Sequence, residues 1–175
     1  MPRRLSFNAR QAHDAVASAE VHVALFEISH DALPAPIRLS TDCTERLSSD
    51  PLIYGTRSRW RGANPVLEPY LWVVASAVLP SELDEIPAAA LIVLDNLDSR
   101  MVALLRSITS PATFHMAVVL ASSPDEIEAE YTDLMLMQAD ITASEITLHI
   151  SREEIELEHF PSGRMSRDRF PGLHR

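Results

Sequence analysis

Tyr70-Leu-Trp-Val-Val-Ala-Ser-Ala-Val-Leu79 is among the longest apolar runs in a chain of 175 residues, and its reading decides the fold class. It is far short of the roughly 20 residues that cross a bilayer as a helix. Its valines and aromatics favour extended backbone over helix. Because the apolar residues are continuous rather than alternating, the run predicts a strand covered on both faces, at the centre of the core. With 46% hydrophobic residues the chain can bury a sizeable core, and its length favours one domain.

Downstream of this run, an acidic loop from Ser81 to Ile86 leads into a second buried strand, Ala89 to Leu94. Asp98 or Ser99 can then accept the free N–H groups of a helix start, and Met101, Val102, Leu104, Leu105 and Ile108 recur at helical spacing, so a helix is predicted over 99–108. Pro111 restarts the chain as a strand through Met116, Val118 and Leu120, with Ser122 to Asp125 as a turn. Two or three further strands follow, around Ile127 to Ala139 and Ser144 to Phe160. Within the last, Glu154-Ile-Glu-Leu-Glu158 alternates acid and aliphatic, which places three carboxylates on one face, to be screened by water or met by arginines.

Upstream, Asn8 to Ala19 reads as a short amphipathic helix with Ser6 or Asn8 as its N-cap. Val21 to Ile28 alternates as a half-buried strand, and Ile37 to Ser40 is expected to pair with it. The stretch from Thr41 to Glu68 carries Arg46, Arg57, Arg59 and Arg61 with Leu52, Tyr54 and Trp60, and is broken by Pro51, Gly55, Gly62 and Pro65. It is too long for an ordinary connector. It reads as a functional or interface loop with a bent strand inside it, or as a surface excursion packed down by Tyr54 and Trp60.

Charge is unevenly placed along a chain whose formal net charge is −10. There are 8 Arg against 7 acids from Met1 to Arg61, 3 against 17 from Gly62 to Phe160, and 4 against 1 from Pro161 onward. An acidic body opposes nucleic-acid binding and suits head-to-tail contact between copies or neighbours. Every basic residue apart from histidine is arginine, which forms bidentate carboxylate pairs that lysine cannot. The closing Pro161 to Arg175 adds Phe170, Pro171, Gly172 and Leu173 to its arginines and so reads as a docking arm. The opening Met-Pro-Arg-Arg-Leu lacks the apolar stretch of a signal peptide, so an intracellular origin is expected.

Catalytic chemistry is sparsely represented. Cys43 stands alone, which removes an intrachain disulfide or a cysteine-based cluster. Asp125, Glu126, Glu128 and Glu130 read as a solvated turn, and Asp95, Asn96 and Asp98 lack the glycine and distal glutamate of a calcium loop. The seven histidines form no i, i+4 pair on a predicted helix, and His115 and His149 read as packed or surface residues. Four glycines leave little material for phosphate-cradling loops, and neither a P-loop nor a nucleophile-elbow motif occurs. No catalytic residue, cofactor or metal is expected, and the chain is not expected to be an enzyme.

Five segments carry a likeness to a known family: Arg4-Leu-Ser-Phe-Asn-Ala-Arg10, Arg38-Leu-Ser-Thr-Asp42, Leu47-Ser-Ser-Asp-Pro-Leu-Ile-Tyr-Gly55, Leu94-Asp-Asn-Leu-Asp98 and Gly163-Arg-Met-Ser-Arg-Asp-Arg-Phe-Pro-Gly172. They span nearly the whole chain, which resembles minor tail proteins of tailed bacteriophages, a domain-of-unknown-function family of the distal tail or tail tip. The resemblance implies a virion structural protein, assembled in the host cytoplasm, at the junction of tail tube, distal-tail ring and baseplate hub. It implies a mainly β fold of tail-tube type, an antiparallel sandwich or barrel of two sheets with one internal helix.

On this reading residues 1–160 form a single domain with the arginine-bearing loop at 41–68, and 161–175 form the basic arm. The implied partners are further copies in a trimeric or hexameric ring and the neighbouring tail proteins, with no specific nucleic-acid binding and no membrane anchor. Arg57, Arg59, Trp60 and Arg61 of the loop and Arg164, Arg167, Arg169 and Phe170 of the arm are the expected interface residues, with Phe170 as a buried anchor. An acidic surface facing the lumen would repel the phosphates of a passing genome. The alternatives are a tail-associated cell-wall hydrolase, which needs a pocket of convergent titratable groups, and a host-surface adaptor, which favours more aromatic surface than 6% aromatic residues supply.

Overall fold

The computed structural model describes residues 6–78, 89–95, 99–151, 169 and 172. In chain order these form helix α1 (Phe7–Asp14), strands β1 (His22–Ser29), β2 (Ile37–Ser40), β3 (Glu45–Ser49), β4 (Leu52–Thr56), β5 (Tyr70–Trp72), β6 (Ala75–Val78) and β7 (Ala89–Asp95), helix α2 (Ser99–Ser107), and strands β8 (Ala112–Leu120), β9 (Ser123–Ile141) and β10 (Glu145–Ser151). All ten strands join one sheet in the order β3-β4-β5-β2-β1-β8-β9-β10-β7-β6. The fold is mainly β with one short internal helix, and the sheet curls as an open half-barrel. Two separate sheets were expected; the described strands make one. The 19-residue β9 explains the continuity, since it pairs with β8 on one side and β10 on the other. Register shifts along both pairings bend and twist the sheet without breaking it.

The centre lies at β1 and β8, which pair antiparallel over eight residues. Phe26 and Ile28 join Phe114, Met116, Ile92, Leu94, Leu134 and Leu148 in the principal core. Val23 and Leu25 point to the other face, where they meet Ala117, Val119, Trp60, Ala63 and Tyr70 in a second core. Strand β1, expected to be half-buried, is therefore buried on both faces along most of its length. Its pairing with β2 is as expected, antiparallel through Leu25↔Ser40 to Ile28↔Ile37.

The run 70–79 is not the central strand that its composition predicts. It divides into β5, which lies between β4 and β2, and β6 at the far edge of the sheet beside β7. The Val73 amide donates to the Ser40 carbonyl and the Asp95 amide to the Val74 carbonyl, both at 2.9 Å, so two residues carry the chain from one side of the sheet to the other. Leu71, Trp72 and Val74 remain 44%, 38% and 43% exposed. A continuous apolar run looks the same in sequence whether it is covered twice or bent between two partners.

The stretch 41–68 is likewise more regular than a loop. It holds the β3–β4 hairpin, with a cis Asp50–Pro51 bond at its turn, and then a single 3-10 turn at Trp60–Gly62. Gly55 is required by close approach: a Cβ there would overlap the Tyr70 carbonyl oxygen and press on Leu47 Cδ1. Helix α1 starts as predicted, with Ser6 Oγ accepting from the Ala9 amide at 3.1 Å, but ends at Asp14. Helix α2 matches its predicted span to one residue and packs on the principal core through Leu105 and Val102, with Ile108 just past its end packed beside them. The acidic alternation at 154–158 lies outside the described residues.

Candidate functional site

Three adjacent strands set Arg38 of β2, Glu27 of β1 and His115 of β8 in one cross-strand row. Glu27 and His115 are 4% and 1% exposed. A charge so deeply placed is tolerated only with partners. Glu27 has two: Arg38 Nε donates to Oε2 at 2.9 Å, and Arg61 Nε donates to Oε1 at 3.4 Å. The other end of Arg38 lies 3.1 Å from Glu68 Oε2. Burial opposes charge on the Arg38 guanidinium, yet the hydrogen bond and field of Glu27 hold it above its ordinary value.

Residues 58–63 lie over this row and seal the second core. Three contacts tie them to β9: Ser58 Oγ donates to the Pro124 carbonyl at 2.7 Å, the Arg59 amide to Asp125 Oδ1 at 2.7 Å, and Trp60 Nε1 to Glu130 Oε1 at 2.8 Å. The Tyr70 hydroxyl donates to the Trp60 carbonyl at 2.9 Å, and the two rings meet with centroids 5.8 Å apart. Burial, reinforced by Glu27, pushes the Tyr70 phenol well up. The carboxylates expected on a solvated turn are thus on a strand, because the turn closes at Ala121–Ser122 and β9 begins at Ser123. Glu128 accepts from the Ser6 amide at 2.9 Å and joins the start of α1 to the sheet.

His115 occupies an irregular place where β8 shifts register against β9 between Phe114 and Met116. Arg61 Nη2 lies 3.1 Å from its Nε2, and the Asp133 amide points at its Nδ1 from 3.2 Å. Both neighbours are donors, whereas a neutral imidazole offers one lone pair. Arg61 and Asp133 are also the two described non-glycine residues with positive φ, 55° and 58°. Burial, then the Arg61 charge, lowers the pKa of His115, against the opposing pull of Asp133, Glu27 and Glu130. The arrangement can hold a covering segment through charge, and its surroundings favour the neutral form of the histidine.

Of the expected interface residues, the loop set is brought together but put to different uses. Trp60 is 5% exposed and belongs to the chain's own second core, and Arg61 belongs to the buried row. Arg57 lies 3.4 Å from Glu45 with both side chains well exposed, while Arg59 is exposed and its side chain makes no ion pair among the described residues. Arg164, Arg167 and Phe170 lie outside the described residues; Arg169 is exposed. His149, at the surface, lies 3.1 Å from Asp140, whose carboxyl is held below its ordinary value by Gln138 and then by His149.

A cleft of about 170 Å³ between the end of α2 and β9 is lined by Leu105, Ile108, Pro111, Leu136, Met137 and neighbouring Thr, Ser, Gln and Ala residues, so among the described residues no acid or base faces it. The buried row was missed in sequence because its members come from separate strands and only the sheet register aligns them. No protein-family model matches the chain, and no curated protein matches it.

Proposed function

We propose that the chain is a structural component of the distal end of a bacteriophage tail, forming or joining a ring between the tail tube and the baseplate hub. The likeness of its five sequence segments supports this reading, and a mainly β, curled sheet with one internal helix is compatible with the fold that likeness implies. A tail-tube-like closure of the sheet would run through residues 70–78, whose backbone already bonds to β2 and to β7.

The observation that carries the reading is a set of charges left unmatched among the described residues. Asp95 and Glu145 sit directly opposite each other on β7 and β10, both exposed, with no cation beside them among the described residues. Like charges opposite each other on a sheet are unfavourable. Arg46 on β3 and Arg59 are exposed cations whose side chains make no ion pair among the described residues. In a ring, one surface of each copy meets a different surface of the next. Arginines of one copy reaching the acidic pair of its neighbour would satisfy both, with the arm of Arg164, Arg167, Arg169 and Phe170 as a second reach toward acid.

Sedimentation equilibrium of the full chain at low salt tests this contact. The double reversal Arg46→Glu, Arg59→Glu should abolish self-association, and adding Asp95→Arg and Glu145→Arg in the same chain should restore it. Association indifferent to both sets of changes would refute the contact.

A further inference from the structure

His115 stands between two donors, the Arg61 guanidinium of the Trp60–Gly62 turn and the Asp133 amide of β9. We propose that the Trp60–Gly62 turn is a pH-operated latch, closed over the second core while His115 is neutral and released from the sheet when His115 is protonated.

The groups facing His115 come from four directions. The turn contributes the Arg61 guanidinium, β1 the Glu27 carboxylate with Arg38 of β2 behind it, and β9 the Asp133 amide and the charges of Asp133 and Glu130. Tyr70 of β5 reaches the turn itself, at the Trp60 carbonyl. A neutral ring accepts from one donor and already meets a second. A protonated ring turns two N–H groups toward a guanidinium and an amide, with like charges in contact.

One of the two donors has to yield, and the geometry selects Arg61. The Asp133 amide is fixed in the backbone of β9, whereas the Arg61 side chain is 38% exposed. Arg61 also makes only a long 3.4 Å contact to Glu27, so its release gives up little. Glu27 does not become an orphan. It keeps Arg38 and exchanges the Arg61 cation for the imidazolium opposite it in the register, so the charge balance of the row is preserved.

Burial lowers the pKa of His115, so opening belongs below the ordinary histidine range of about 6.5. Because the unfolded chain binds this proton more readily than the folded one, the associated stability is complete above the unfolded value and is lost as pH falls through the folded value.

Amide hydrogen exchange reads the latch through the Arg59 amide, which donates to Asp125 of β9, and through the Gly62 and Ala63 amides inside the turn that this contact holds. As pH falls from about 7.5 through the NMR titration midpoint of His115, their protection factors should fall roughly tenfold or more in the native chain, while the amides of Ala117 and Val119 keep theirs. In His115→Gln the fall should vanish. An equal fall in both proteins, a fall shared with β8, or no fall would overturn the proposal. Should His115→Gln not fold, Arg61→Gly keeps the left-handed backbone, and the NMR titration midpoint of His115 should then move up toward about 6.5; an unmoved midpoint would overturn it equally.

Discussion

Glu27→Ala should be among the most destabilising single substitutions in the described structure. The side chains of Glu27 and Arg38 are 5% and 10% exposed and meet at 2.9 Å. Removing one member of a buried pair leaves the other charge uncompensated, at a cost of about 3–5 kcal/mol. Glu68 still stands 3.1 Å from Arg38, but its side chain is 46% exposed and the attraction is screened, so the lower end, about 3 kcal/mol, is expected. For a chain of this size that loss lowers the melting temperature by about 6–12 °C. Urea titration gives the free energy, and a thermal scan gives the temperature. A companion variant, Glu27→Met with Arg38→Met, removes both charges and should recover most of the loss. A cost below about 1 kcal/mol for Glu27→Ala is what an exposed pair would give, and would refute the buried-row account.

Gly55→Ala should cost about 2–3 kcal/mol by denaturant titration, since the new methyl overlaps the Tyr70 backbone and forces β4 away from β5. Ser6→Ala should cost about 1 kcal/mol, with the loss of protection confined to the first amides of α1, because the cap bond to Ala9 disappears while Glu128 still holds the Ser6 amide. Deleting 162–175 should leave the melting temperature unchanged and abolish entry into tail particles; normal entry would remove the arm from the assembly reading.

Local signals in the sequence were sufficient where the structure is decided locally. Ser6 and the spacing of Val102, Leu105 and Ile108 announced both helices, and the alternation from Val21 to Ile28 found β1 and its β2 partner. They failed where a distant partner decides. The outer face of β1 is buried because Trp60 and Tyr70 fold over it, and nothing between His22 and Ser29 reports that. Asp125, Glu128 and Glu130 have the composition of a solvated turn, yet their acceptor roles come from Arg59, Ser6 and Trp60. Pro51 and Gly55 suggested an irregular loop, whereas they serve the turn and the close packing of a hairpin. The Arg38–Glu27–His115 row needs the register of three strands before it exists at all.

Quantitative mass spectrometry of purified phage tails decides whether the chain forms or joins such a ring. It should be present in every tail at a fixed whole-number ratio to the hub protein, at the copy number of one trimeric or hexameric ring. Tails that assemble completely and contain none of it would rule out the proposed ring.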